Sequence, residues 1–90
     1  MSHSLHLDSE QRRAVRNRIA RARGQLDAIM RALDEDRACL EMLPQMIAAN
    51  KAVDRATYSM ILGAIDRCST DPQAHAEESE QLRKLFLSLA

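Results

Sequence analysis

The chain has 90 residues, 13 basic and 13 acidic side chains, one Tyr, one Phe and no Trp. That length is one domain, residues 1–90, with a small, mostly aliphatic core, the kind of chain that commonly gains stability by oligomerising. With two Gly, two Pro and no alternating apolar runs, an all-α fold is expected. No apolar run approaches the ~18 residues of a membrane span, and there is no secretory signal pattern, so a cytoplasmic protein without a membrane role is expected.

Residues 1–7 read as a loose arm carrying His3 and His6, one that can fold back to close a metal site. The first helix is predicted over about 9–33, capped by Asp8 or Ser9 with Glu10 in its first turn. Val15, Ile19, Ala22, Leu26, Ile29 and Leu33 step alternately by four and three, a seam for helix packing. Arginines flank the seam. Six occur between residues 12 and 23 with no acid among them, although the whole chain is neutral. A basic first third points to a localised anionic partner, and guanidinium groups favour bidentate contacts to phosphates and guanine edges. Arg16, Arg18, Arg21 and Arg23 are the candidates for duplex DNA. The absence of interleaved aromatics disfavours a single-strand binder.

Asp34-Glu35-Asp36 breaks the helix, because acids suit the next helix N-terminus better than the last turn of this one. A second helix is predicted over about 37–68, with Pro44 bending it, Gly63 loosening its far end and Lys51 as a further DNA candidate. Leu40, Leu43, Met46, Ile47, Val53, Met60, Ile61 and Ile65 recur at helical spacing and predict a buried stripe. Counted at about 100° per residue, Cys39, Leu43, Ile61, Ala64 and Cys68 fall within about 60° of one another.

Cys39 and Cys68 are 29 residues apart. At about 1.5 Å per residue that is roughly 43 Å of helix, so they cannot meet within one chain. An antiparallel pairing of this helix with its own copy sets residue i against residue 107 − i. Cys39 then faces Cys68 of the other protomer, Leu43 faces Ala64, Ile47 faces Met60 and Asn50 faces Thr57. A two-fold dimer with two interchain dithiols follows. Two inert core cysteines are the alternative, since cysteine is often buried as a small hydrophobe. In a reducing compartment a dithiol points to metal binding or redox chemistry. A third helix is predicted over about 72–89, begun by Asp71-Pro72, with Leu82, Leu85, Phe86 and Leu89 as its apolar face and His75 exposed and idle. No nucleophile–base constellation or cofactor motif marks an enzyme.

Arg18-Ile19-Ala20-Arg21-Ala22-Arg23-Gly24-Gln25, Asp34-Glu35-Asp36-Arg37-Ala38-Cys39 and Leu43-Pro44-Gln45-Met46 together resemble the CsoR/RcnR family of bacterial metal-sensing repressors. The opening Met1-Ser2-His3 resembles its nickel/cobalt branch. The resemblance implies a three-helix protomer, an antiparallel four-helix-bundle dimer, a flat tetramer, and operator DNA that is released when an effector binds. It also implies a sensing site joining the first Cys of one protomer to the second helix of the other.

Copper sensors of the family carry Cys, His and Cys. Cys39 and Cys68 match the two Cys, while the His position holds Ala64, and the aromatic residue often found before the first Cys is Ala38. The nickel/cobalt branch has His at the positions of Ala64 and Cys68, and the formaldehyde branch has His at Ala64 and an N-terminal Pro. The pattern that keeps only the two cysteines resembles the persulfide-sensing CstR proteins. There Cys39 would attack sulfane sulfur and Cys68 resolve it, with no cofactor required. Cu(I) usually takes a third ligand and Zn(II) four, so a metal site would need His3 or another distant donor. The readings are thus a repressor answering reactive sulfur species, one answering Cu(I) or, as a weaker case, Ni/Co through Cys39, Cys68 and His3, and a helical scaffold with no DNA role.

Overall fold

The computed structural model describes residues 4–89, which form three helices and no strand: α1 (Ser9–Asp34), α2 (Cys39–Thr70) and α3 (Ala76–Leu89). The all-α expectation holds. The shape is elongated, 54 × 26 × 19 Å. Asp8 caps α1 through a reciprocal box: its carboxylate accepts from the Gln11 N–H at 2.8 Å, and its own N–H donates to Gln11 Oε1 at 3.0 Å.

The end of α1 is built differently from a simple acidic break. Asp36 takes φ 55°. Its N–H donates to the Leu33 carbonyl at 3.1 Å, and the Arg37 N–H donates to the Ala32 carbonyl at 3.0 Å. Those two bonds are a Schellman cap, with aspartate where glycine usually sits. The cap uses Arg37, so α2 starts at Cys39 rather than 37.

α1 and α2 form an antiparallel hairpin. Gln11 Nε2 donates to Asp66 Oδ2 at 3.0 Å at one end, and Ala28 and Arg31 line a cleft with Met42 and Gln45 at the other. The seam is a seven-residue repeat on each side: Val15, Ala22 and Ile29 on α1, Met42, Ala49 and Ala56 on α2. Small residues on the seam let the backbones approach closely. Half of the expected α1 seam is therefore buried, while Ile19, Leu26 and Leu33 stay exposed.

Within one protomer the predicted α2 stripe is almost wholly uncovered. Of its eight residues only Ile61 is buried; Leu40, Leu43, Met46, Ile47, Val53, Met60 and Ile65 are exposed, with Ile47 at 58%. One hairpin can cover one seam of α2, and the alanine seam takes α1. α2 remains helical through Pro44 and Gly63. The helix continues at Gly63, and a Cβ there would stand 2.9 Å from Leu7 Cδ2, so the missing side chain makes room for the chain before α1. Of the expected loose arm, residues 1–3 lie outside the described residues, while Leu5 and Leu7 are half-buried against α2.

α3 begins four residues later than expected. Asp71 Oδ1 accepts from the Ala74 N–H at 3.3 Å and spends its capping capacity on a turn through Pro72–His75. The first helical bond runs from the Ser79 N–H to the His75 carbonyl. His75 is not idle either, since its Nδ1 lies 3.4 Å from Glu78 Oε1 in a part-buried pair. Among the described residues, no helix is long and apolar enough to cross a membrane.

Candidate dithiol site and basic surface

Cys39 and Cys68 open and close the same helix but lie in opposite surroundings. Cys39 is the first residue of α2 and is exposed. Cys68 is 5% exposed, in the last turns of α2 beneath α3. Burial pushes the Cys68 thiol above its ordinary range, and the Glu78 carboxylate adds to the same shift. The unbroken helix between them keeps the two thiols of one chain apart, as the sequence requires.

Ala64 is buried one turn before Cys68. It brings no donor atom. His6 lines a cavity together with Ala64, Ile61 and Leu82, while remaining exposed to solvent. His3 lies outside the described residues. Among the described residues, no group of three or more His, Cys, Asp or Glu side chains could hold a metal ion. Two thiolates suit a soft ion such as Cu(I) in kind. Within one protomer they are at opposite ends, and among the described residues no third donor completes the set.

The basic surface is open. Arg12, Arg13, Arg16, Arg18, Arg21 and Arg23 are all exposed, and none forms an ion pair among the described residues. The buried seam of α1 turns Val15 and Ala22 toward α2 and leaves the guanidinium groups outside. Lys51 is exposed on α2, and so is Arg55, one helical turn further on. Arg55 was legible from its i+4 spacing to Lys51 yet absent from the sequence-level candidates.

Residues 11–88 match a family described as metal-sensitive transcriptional repressors. The chain belongs to this family. Its members are repressors rather than enzymes, and the family is the CsoR/RcnR group that the motifs resemble. The copper-sensing transcriptional repressor CsoR of Mycobacterium ulcerans (strain Agy99) is 35% identical over 68 residues, 76% of this chain and 56% of that protein. The same-named protein of Mycobacterium tuberculosis (strain ATCC 25618 / H37Rv) is 33% identical over 57 residues, 63% of this chain and 48% of that protein. This family member therefore spans about half the length of the curated relatives it matches. No solved structure matches it. Both relatives are named for copper sensing.

Proposed function

We propose that this chain is a homo-oligomeric repressor of the cytoplasm that binds operator DNA through the arginines of α1 and senses Cu(I) through Cys39 of one protomer and Cys68 of its partner. The observation that carries the proposal is the placement of two thiols at the ends of one unbroken helix whose first half exposes Leu43, Met46, Ile47 and Val53. An exposed apolar strip of that length needs a cover. An antiparallel second copy supplies one and brings Cys39 to the partner's Cys68. The dimer then pairs into the flat tetramer that the family resemblance implies. Arg16, Arg18, Arg21 and Arg23 take phosphates, with Lys51 and Arg55 from α2 beside them. The copper-sensing relatives and the softness of two thiolates support Cu(I) as effector. When bound, the ion would join two protomers across their interface. Family membership speaks against a scaffold without a DNA role.

A second reading keeps the repressor and changes the effector to reactive sulfur, favoured by Ala64, which offers no third ligand. The Cys39 thiolate would attack the outer sulfur of a persulfide RSSH, forming Cys39–SSH and releasing RS⁻. The Cys68 thiol of the partner would then attack the inner sulfur, leaving a Cys39–Cys68 disulfide and releasing hydrogen sulfide. Two thiols are oxidised and one sulfane sulfur is reduced.

One experiment separates the two. The protein, bound to a duplex carrying the sequence upstream of its coding region, is titrated anaerobically with Cu(I) and separately with polysulfide while DNA anisotropy and intact mass are followed. Release with stoichiometric Cu(I) retained against a chelator supports the metal reading, and Ala64→His should then tighten Cu(I) further. Release only with polysulfide, accompanied by a covalent dimer, moves the effector to sulfur. Release by neither, with Cys39→Ala and Cys68→Ala behaving as the unaltered chain, refutes the dithiol switch.

A further inference from the structure

The two ends of the exposed α2 face are not equivalent. Near Cys39, the side chains Leu43, Met46 and Ile47 are open. The antiparallel register sets them against Ala64, Ile61 and Met60. Ile61, Ala64 and Cys68, at intervals of three and four, are already buried within the protomer. Leu82 and Leu85 of α3 share a cavity of about 400 Å³ with Ile61 and Ala64, and Ala76, Ser79 and Leu82 line a second beside Cys68. One half of the pairing surface is open; in the other, Leu5 and Leu7 share the cover of Ile61 and Ala64 with the last helix, Met60 stays exposed, and Cys68 lies under the last helix.

That cover is slenderly held. No residue of α3 is buried. Only Glu78 and Leu82 are half-buried, and with Phe86 they fall at i, i+4 and i+8 along one edge. The Phe86 ring meets Tyr58 of α2 edge-on, centroids 6.1 Å apart. The acidic end is tied back by Glu78 to His75, and the turn at Asp71–His75 joins it to α2. A segment held by one edge, with no fully buried side chain, opens at lower free energy than a packed seam such as α1 on α2.

The geometry points to α3 as a releasable cover on Cys68, lifting from α2 before the partner's Cys39 can reach that thiol. The consequence for sensing rests on the interprotomer dithiol reading, whereas the cover is testable without any effector. Capture becomes ordered: the exposed Cys39 engages first, and Cys68 joins once α3 is released. Leu82 and Phe86 set how often that happens while touching no effector themselves.

The test uses the oligomeric protein carrying Cys39→Ala, so that Cys68 is the one thiol. Its reaction with N-ethylmaleimide at neutral pH is timed by mass spectrometry, natively and in urea. Native Cys68 should react at least about tenfold more slowly than in urea. Leu82→Ala and Phe86→Ala, made separately, should each restore several-fold of that rate with helicity and oligomer size unchanged. Hydrogen exchange on the protein without either change provides a check that needs no folded variant: amides of α3 should exchange ahead of those in α1 and the middle of α2. Native Cys68 reacting as fast as in urea overturns the cover, as does a slow rate that both variants leave untouched, or α3 amides as protected as α2. If the variants unmask Cys68 but the chain with both thiols forms no Cys39–Cys68 link under polysulfide or Cu(I), the cover stands and the dithiol reading falls.

Discussion

Leu7 crosses α2 at Gly63, where its Cδ2 would lie 2.9 Å from a Cβ, with Gln11 Cδ next at 3.6 Å. The contact fastens the start of the chain to the half of α2 that holds Cys68. Gly63→Ala needs only the tip of Leu7 to move, and alanine is favoured in a helix interior by about 0.8–1 kcal/mol. The melting temperature should hold or rise slightly. Gly63→Leu has no such escape and should expel Leu7, seen as faster chymotryptic cleavage at residues 5–7. Cleavage no faster than in the unaltered chain would show that the crossing carries no weight.

The aspartate cap at position 36 predicts a stabilising exchange. A φ of 55° costs an L-residue roughly 1 kcal/mol that glycine does not incur. Asp36→Gly should raise stability by up to about 1 kcal/mol in urea unfolding, and Asp36→Val should lower it by more than that, since β-branched residues tolerate this region worst. Equal midpoints for the two variants would contradict the cap.

DNA affinity should rest on charge. Reversing Arg18 and Arg21 to Glu should abolish duplex binding while circular dichroism and oligomer size stay unchanged, because both side chains are exposed and bear no ion pair among the described residues. For the unaltered protein, the logarithm of affinity should fall with the logarithm of salt concentration at about −0.9 per phosphate contacted. Lys51→Glu and Arg55→Glu should each weaken binding and reduce that slope. A salt-independent affinity would remove the arginines from the interface.

Oligomerisation should depend on the open strip. Ile47→Glu places a charge on the face of α2 that α1 does not cover, and it should yield helical monomers in analytical ultracentrifugation. Ala49→Glu strikes the buried α1 seam and should instead lower helicity outright. A dimer that survives Ile47→Glu would move the partner to another surface.

The Cys68 thiol predicts a pH dependence of stability. Its folded pKa is raised by burial and then by Glu78, so the folded state favours the neutral thiol. That contribution is fully present below the ordinary thiol range, about 8.5, and is lost as pH rises through the higher folded value. Unfolding midpoints should fall above pH ~8.5 more steeply in the unaltered protein than in Cys68→Ala. Glu78→Gln should lessen the difference without abolishing it, because burial is the larger cause. Parallel pH profiles for all three would remove the thiol as the source.

The helices, the capping residue Asp8, the break at residues 34–36 and the separation of the thiols were legible in the chain itself. Each depends on neighbours within a few residues, or on the rise of one helix. The loose basic surface was legible for the same reason: six arginines without an acid nearby need no folding to be recognised as unpaired. Which apolar stripe of α2 would be buried was not. α2 carries a stripe of large side chains and a seam of alanines, both at helical period, and periodicity cannot rank two faces of one helix. Close approach of α1 decided it, because backbones pack nearest where side chains are smallest, leaving the large residues for a second surface. The unlike fates of Cys39 and Cys68 were hidden for a related reason. They share a face and a residue type, and only the return of α3 over the far end of α2 makes one thiol open and the other covered.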